Sequence, residues 1–142
     1  MAASIQPQHA LSPIEIDAIE ECLDTHNQAA TGCNDSRGMG FVIRDEVGRT
    51  IGVAAGYSWG GISELKQMWI DKPYRGRGYA RELLNAFVAE AAYRGVRRIW
   101  VTSYDFQAPG MYEKAGFERM AVLAEWPEGH SNIVLCKTLL AP

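Results

Sequence analysis

Residues 68–84 read MWIDKPYRGRGYARELL, and the hydrophobic period changes in the middle of them. Met68, Trp69 and Ile70 close a strand-like run, and Asp71 to Tyr74 leave it through a proline. From Gly78 onward the spacing becomes helical. Tyr79, Ala80, Leu83, Leu84, Phe87, Val88, Ala91 and Ala92 fall on one stripe, opposite Arg81, Glu82, Asn85 and Glu90, so a long amphipathic helix is expected, ended by Gly95. Between strand and helix lie Arg75, Gly76, Arg77 and Gly78. A glycine-rich turn of this kind leaves backbone N–H groups of the first helical turn without partners and aims the helix dipole at an anion. Gly76 and Gly78 permit close approach of a ligand to the backbone, and Arg75 and Arg77 add charge. By itself the turn fits either a phosphate cradle or a plain turn. A dinucleotide fingerprint is disfavoured, because the preceding strand belongs to an antiparallel series and no third glycine follows at the required spacing.

Upstream, Ser12, Pro13 and Glu15 stand in the order of an N-cap, a first helical position and a capping-box acid. Ile16, Ile19 and Leu23 follow at helical spacing, which predicts a first helix from Pro13 to about Gln28. Residues 1–11 are polar and broken by Pro7, and read as an arm or a short edge strand. Thr31 to Gly40 is loop-like, and Phe41, Val42 and Ile43 begin a strand. Asp45 to Arg49 form a hairpin turn with Gly48 available for a positive φ. Thr50 to Ser58 return, Trp59 to Gly61 turn again, and Ile62 to Ile70 complete a meander. Downstream, Arg98 to Tyr104, centred on Ile99, Trp100 and Val101, reads as a buried strand reached by a parallel crossover. Pro109 to Lys114 is a short helix closed by Gly116. Phe117 to Trp126 and Asn132 to Thr138 are the last strands, joined by a loop with Pro127 and Gly129. The expected class is α/β (α+β), with a mixed, mostly antiparallel central sheet flanked by helices.

A chain of 142 residues holds one core, so a single domain over residues 1–142 is expected. With 47% apolar and 22% charged residues, disorder, collagen-like fibre and coiled-coil rod are disfavoured. The longest uncharged stretches, Met1 to Ile14 and Thr50 to Ser63, are interrupted by polar residues, proline or glycine, so no membrane span is expected. The start carries neither Lys or Arg nor a continuous apolar run, which argues against a secretory leader and for the cytoplasm. Fourteen basic against seventeen acidic residues leave a net charge of −3, unlike a nucleic-acid binder. Cys22, Cys33 and Cys136 lack the paired spacing of a zinc or redox site, and His9, His26 and His130 form no ligand pair; no metal is expected.

The run Leu65 to Phe117 resembles the GNAT superfamily of N-acetyltransferases, whose acyl-CoA signature is Arg or Gln, two residues, Gly, one residue, then Gly or Ala. Arg75, Gly78 and Ala80 fill that pattern. Met111, Tyr112, Glu113, Lys114, Ala115, Gly116 and Phe117 match a second signature, and Phe106, Gln107, Ala108 and Pro109 occur in small members of the family. The resemblance covers about Phe41 to Lys137 and implies a GNAT-like fold with acetyl-CoA as co-substrate. On that resemblance, the backbone of Arg75, Gly76, Arg77, Gly78, Tyr79 and Ala80 would hold the CoA pyrophosphate. Main-chain groups of Met68 and Ile70, flanking Trp69, would pair with the pantetheine, although core packing explains those residues equally. Ala108 and Met111 fall on the cofactor side. Asp105 occupies a slot where many members carry an Asn that contacts the pantetheine, and the departure leaves that contact open.

Tyr112 resembles the family's general acid, which protonates the departing thiolate. Glu64, eleven residues before Arg75, stands where some members carry a general base; an exposed strand glutamate is the alternative. Tyr57, Trp59 and Trp69 flank the meander's turn and, with His130, are candidates for an acceptor pocket, as against ordinary packing. Glu125 and Glu128 add negative potential beside His130, or form a solvated acidic loop. The implied reaction is acetyl transfer from acetyl-CoA to a primary amine of a small molecule by direct attack. Cys136 has no base near it in sequence to support an acyl-enzyme. The rivals are a non-catalytic acyl-CoA-binding or regulatory module and a structural subunit that works with a partner. The resemblance allows a homodimer through strand edges.

Overall fold

Ser12 and Glu15 start the first helix as their order requires. Ser12 Oγ accepts the Glu15 N–H, and the Glu15 carboxylate accepts the Ser12 N–H at 2.8 Å, a bond that holds the Glu15 carboxyl below its ordinary pKa. Helix α1 spans Pro13–Thr31. It runs three residues past Gln28 because Thr31 Oγ1 donates back to Asn27 O at 2.7 Å, and Gly32, at φ 72°, closes the helix by donating to Gln28 O. Residues 2–12 form no strand, so of the two forms expected for this segment the arm is the one present. The computed structural model describes residues 2–139 and divides between Asn34 and Asp35 into two units, each taken by itself.

The second unit is built on six strands: β1 Arg37–Arg44, β2 Thr50–Trp59, β3 Ile62–Ile70, β4 Arg98–Tyr104, β5 Glu118–Ala124 and β6 Ser131–Thr138. Their order in the sheet is β1-β2-β3-β4-β6-β5. All neighbours are antiparallel except β3 and β4, which the crossover helix α2, Tyr79–Tyr93, makes parallel. Helix α3, Pro109–Lys114, lies between β4 and β5 in the chain. This is the mixed, mostly antiparallel sheet with flanking helices that the periodicity predicts. Phe87, Leu84, Ile99 and Leu135 are fully buried at the centre of the core. The α2 stripe is narrower than its spacing suggests: Leu83, Leu84, Phe87 and Ala91 are buried, whereas Ala92 is exposed.

Four strands have other limits than expected: β2 runs to Trp59, not Ser58, β6 begins at Ser131, not Asn132, and β1 and β5 differ more. β1 begins at Arg37, not Phe41, because Arg94 at the end of α2 holds its polar start. Arg94 Nη1 donates to Arg37 O and Ser58 Oγ, Nη2 donates to Gly38 O, and Nε meets Glu90 Oε1 at 2.9 Å. β5 begins at Glu118, not Phe117, and ends at Ala124, not Trp126. Phe117 is drawn into the core, edge-on to Tyr112 with ring centroids 5.6 Å apart, and Glu125 turns the chain at φ 56°. Since the Arg94 side chain is only 12% exposed, replacing it strands several acceptors. Arg94→Ala is expected to lower the unfolding free energy by about 3 kcal/mol in urea titration, and Arg94→Lys, which lacks the fork, to recover less than half of that.

A bulge shapes the middle of the sheet. Gly56 pairs with Leu65 and Ala55 with Gln67, so Lys66 is the extra residue on β3. A bulge bends its strand, and here β3 leaves β4 directly after it. The two strands pair only from Ile62↔Arg98 to Leu65↔Val101, and the remainder of each diverges.

Candidate active site

The divergence of β3 from β4 opens a cleft of about 880 Å3. Leu65, Lys66, Met68, Trp69 and Ile70 form one wall, and Val101, Thr102 and Ser103 the other. The mouth is the turn into α2, where Arg75, Gly76, Gly78, Tyr79 and Ala80 line the space. Gly76 and Gly78 have φ values of 76° and 84°, a left-handed conformation that favours glycine. Gly78 is the N-cap of α2, and no side chain caps this helix start. Its amides are therefore offered to the cleft, which is the geometry an anion needs. The residues present thus fit a pyrophosphate.

Arg75 and Arg77 do not aim their guanidinium groups as the turn's charge suggests. Arg75 Nε donates to Ile70 O at 2.9 Å and the group lies 4.6 Å over the Trp69 ring, whose Nε1 donates to Asp71. Arg77 stacks over Tyr74 at 5.3 Å and donates to Pro73 O, outside the cleft lining. Both brace the loop. The back of the cleft carries Ala108, Met111 and Tyr112. Tyr112 is buried, and burial pushes its phenol up to about 12, so it holds its proton throughout the neutral range.

Asp105 is not among the residues that line the cleft. One carboxylate oxygen lies 2.9 Å from His130 Nδ1 and the other accepts the Ser131 N–H. Burial raises the Asp105 carboxyl, but the bonds from His130 and Ser131 outweigh it and hold it below its ordinary value. Phe106 stacks on Tyr104 and meets His130 edge-on at 5.1 Å. Asp105 and His130 thus tie the loop after β4 to the loop before β6, which places Phe106, Gln107 and Ala108 on the cleft wall. Neither Glu64 nor Tyr57 is among the residues that line the cleft; Tyr57 Oη donates to Glu64 Oε1 at 3.0 Å. Trp59 ends β2, away from the cleft lining. Lys66, Arg81, Asn85, Gln107 and Lys114 also line the cleft; none was a candidate site residue in the sequence, although Gln107 and Lys114 fall within the stretches that carry the resemblance. Lys66 reaches it as the bulged residue of β3, Arg81 and Asn85 from α2, Gln107 from the loop after β4 and Lys114 from the end of α3.

The mixed sheet thus parts at its parallel pair, with a glycine-rich, uncapped helix start at the opening. The chain belongs to the acetyltransferase (GNAT) family, whose model matches residues 7–117. Acetyltransferase Atu2258 of Agrobacterium fabrum is 27% identical over 114 residues, covering 80% of this chain and 83% of the relative. Blasticidin-S acetyltransferase of Streptomyces morookaense is 33% identical over 73 residues, 51% of this chain and 54% of that protein. An acetyltransferase structure from Bacillus cereus superposes with a TM-score of 0.79 at 26% identity, covering 94% of this chain and 98% of the other. A structure from Agrobacterium tumefaciens shares the fold with a TM-score of 0.88 at 24% identity, over 96% of this chain and all of that one (100%). Among the described residues no helix is long and apolar enough to cross a membrane.

Proposed function

We propose that this protein transfers the acetyl group of acetyl-CoA to a primary amine of a small molecule by direct attack. One observation carries the reading: the cleft begins at an uncapped helix start held open by Gly76 and Gly78 and ends beside the buried phenol of Tyr112. When bound there, acetyl-CoA supplies an activated thioester carbonyl. The amides from Gly76 to Ala80 hold its pyrophosphate, and the β3 backbone beyond Leu65, unpaired with β4, orients the pantetheine arm. Tyr112 Oη keeps its proton and donates to the sulfur as charge develops there. Glu64 receives the proton of the incoming ammonium. Cys136 is buried and its thiol is pushed up by that burial, which disfavours an acyl-enzyme. A relative whose name gives blasticidin S as its substrate supports a small acceptor over a protein tail.

Calorimetric titration with acetyl-CoA, and with CoA as a control, tests this reading. Saturable binding of both is expected. Gly78→Leu should weaken it by at least tenfold, since it adds a bulky side chain at a residue that lines the cleft, while φ 84° adds roughly 1–2 kcal/mol of backbone strain. A folded wild-type protein that binds neither ligand would overturn the proposal.

A further inference from the structure

Glu64 does not stand alone on its face of the sheet. It is paired in register with Tyr57 on β2 and with Trp100 on β4. Ser63, Leu65, Ile99 and Val101, the residues on either side of Glu64 and Trp100, are buried on the core side. By the period of two along a strand, Glu64 and Trp100 therefore project from the opposite face. Tyr57 shares that face, because its hydroxyl donates to Glu64 Oε1 at 3.0 Å. All three side chains are half-buried. The result is one carboxylate between two aromatic rings, in a single row across three strands.

Two further observations bear on this row. Among the described residues, no Lys or Arg forms a salt bridge with Glu64. The nearest cation in sequence, Lys66, is the bulged residue and lines the cleft instead. A half-buried carboxylate is normally matched by a cation or by hydrogen bonds, and here one phenol supplies the hydrogen bond that fixes its orientation. The row itself does not line the cleft, whose lining includes the next residue on each strand, Leu65 and Val101, on the opposite face of the sheet. The pairing of β3 with β4 stops at Leu65↔Val101, one residue past Glu64 and Trp100, so a ligand seated on the row would meet the cleft only through the gap that opens there.

We propose that Tyr57, Glu64 and Trp100 form a recognition site for the cationic head of the acceptor, with the carboxylate giving charge and the two rings giving faces for the carbons around it. Aromatic faces prefer a diffuse cation flanked by apolar carbons to a compact anion or a neutral polar group. The acceptor class is thus an alkylammonium, and an amine next to a carboxylate is a poor fit. Tyr57 is the positioning residue, since it acts through Glu64. The inference rests on the reading that this face receives the acceptor, and its test is kept separate from turnover by a ligand that cannot be acetylated on nitrogen.

The test is calorimetric titration of the full chain with choline and with its uncharged carbon isostere, dimethylbutanol. Choline is expected to bind saturably and the isostere about tenfold more weakly. Glu64→Gln and Trp100→Leu should each weaken choline about tenfold, Tyr57→Phe less so, and all three should still bind CoA, which reports an intact fold. Trp100→Phe keeps a ring and should retain most of the choline affinity even if the leucine variant unfolds. Equal binding of choline and the isostere, or choline binding unchanged in Glu64→Gln, would overturn the proposal. Choline binding by a protein that acetylates no amine would support the cation site and sink the transferase reading. Acetyl transfer to alkylamines with no choline binding would do the reverse.

Discussion

Tyr112→Phe is expected to lower kcat for acetyl transfer by about a hundredfold, with acetyl-CoA affinity unchanged within about twofold. The ring stays because its packing is apolar: Tyr112 is buried and edge-on to Phe117, and phenylalanine fills the same space. Only the hydroxyl is lost, and with it the donor proposed for the departing sulfur. Burial raises this phenol to about 12, so it is protonated wherever the enzyme works and no alkaline limb from it appears below that pH. The same shift links to stability. The unfolded phenol ionises near 10 and the folded one near 12, so the stability contributed by this group is fully present below pH 10 and is lost as pH rises through 12. At pH 11 the loss from this group is about 1.4 kcal/mol, and Tyr112→Phe escapes it. Steady-state kinetics and urea denaturation at pH 8 and 11 check both. Unchanged turnover in Tyr112→Phe would remove the residue from the mechanism and favour another proton donor.

Gly56→Ala unmakes the site from a distance. A Cβ on Gly56 would fall on the carbonyl oxygen of Glu64, with the Leu65 Cα 3.1 Å away, and those atoms are backbone that cannot swing aside. Either the β2–β3 pairing opens or the bulge at Lys66 is expelled. The expected cost is at least about 3 kcal/mol, a drop of roughly 10 °C in melting midpoint. Acetyl-CoA binding should fall with it, because β3 then has no reason to leave β4. Gly38→Ala is the control: it sits on the neighbouring strand β1 with nothing within 4 Å, so its stability should change by less than about 0.5 kcal/mol. A Gly56→Ala protein with wild-type melting would mean the bulge tolerates a side chain, and the link from bulge to cleft would fail.

Local chemistry was legible wherever one turn or one hairpin contains it. Ser12 with Glu15 fixes the start of α1, and Gly78 marks the start of α2. Asp45 builds its own turn, accepting the Val47 and Arg49 N–H groups on one carboxylate oxygen. The cleft's glycines were legible for the same reason, since their φ values are needed within the turn itself. By contrast, Arg77 was expected to face an anion and instead stacks on Tyr74, because a flexible side chain takes the aromatic surface the folded loop offers. Asp105 was open in the sequence, and its partners His130 and Ser131 lie 25 and 26 residues away.

Taken by itself, then, the order of residues determined the meander, the crossover helix, the family signatures and the uncapped turn, because periodicity, caps and turn preferences act over a few residues. Tertiary structure alone decided the start of β1 through Arg94, the bulge at Lys66 opposite Gly56, and the row Tyr57, Glu64 and Trp100. Strand register is a property of two or more segments at once. Which side chain stands beside Glu64 depends on how the bulge and the α2 crossover set β2 and β4 against β3, and no local rule along the chain carries that distance.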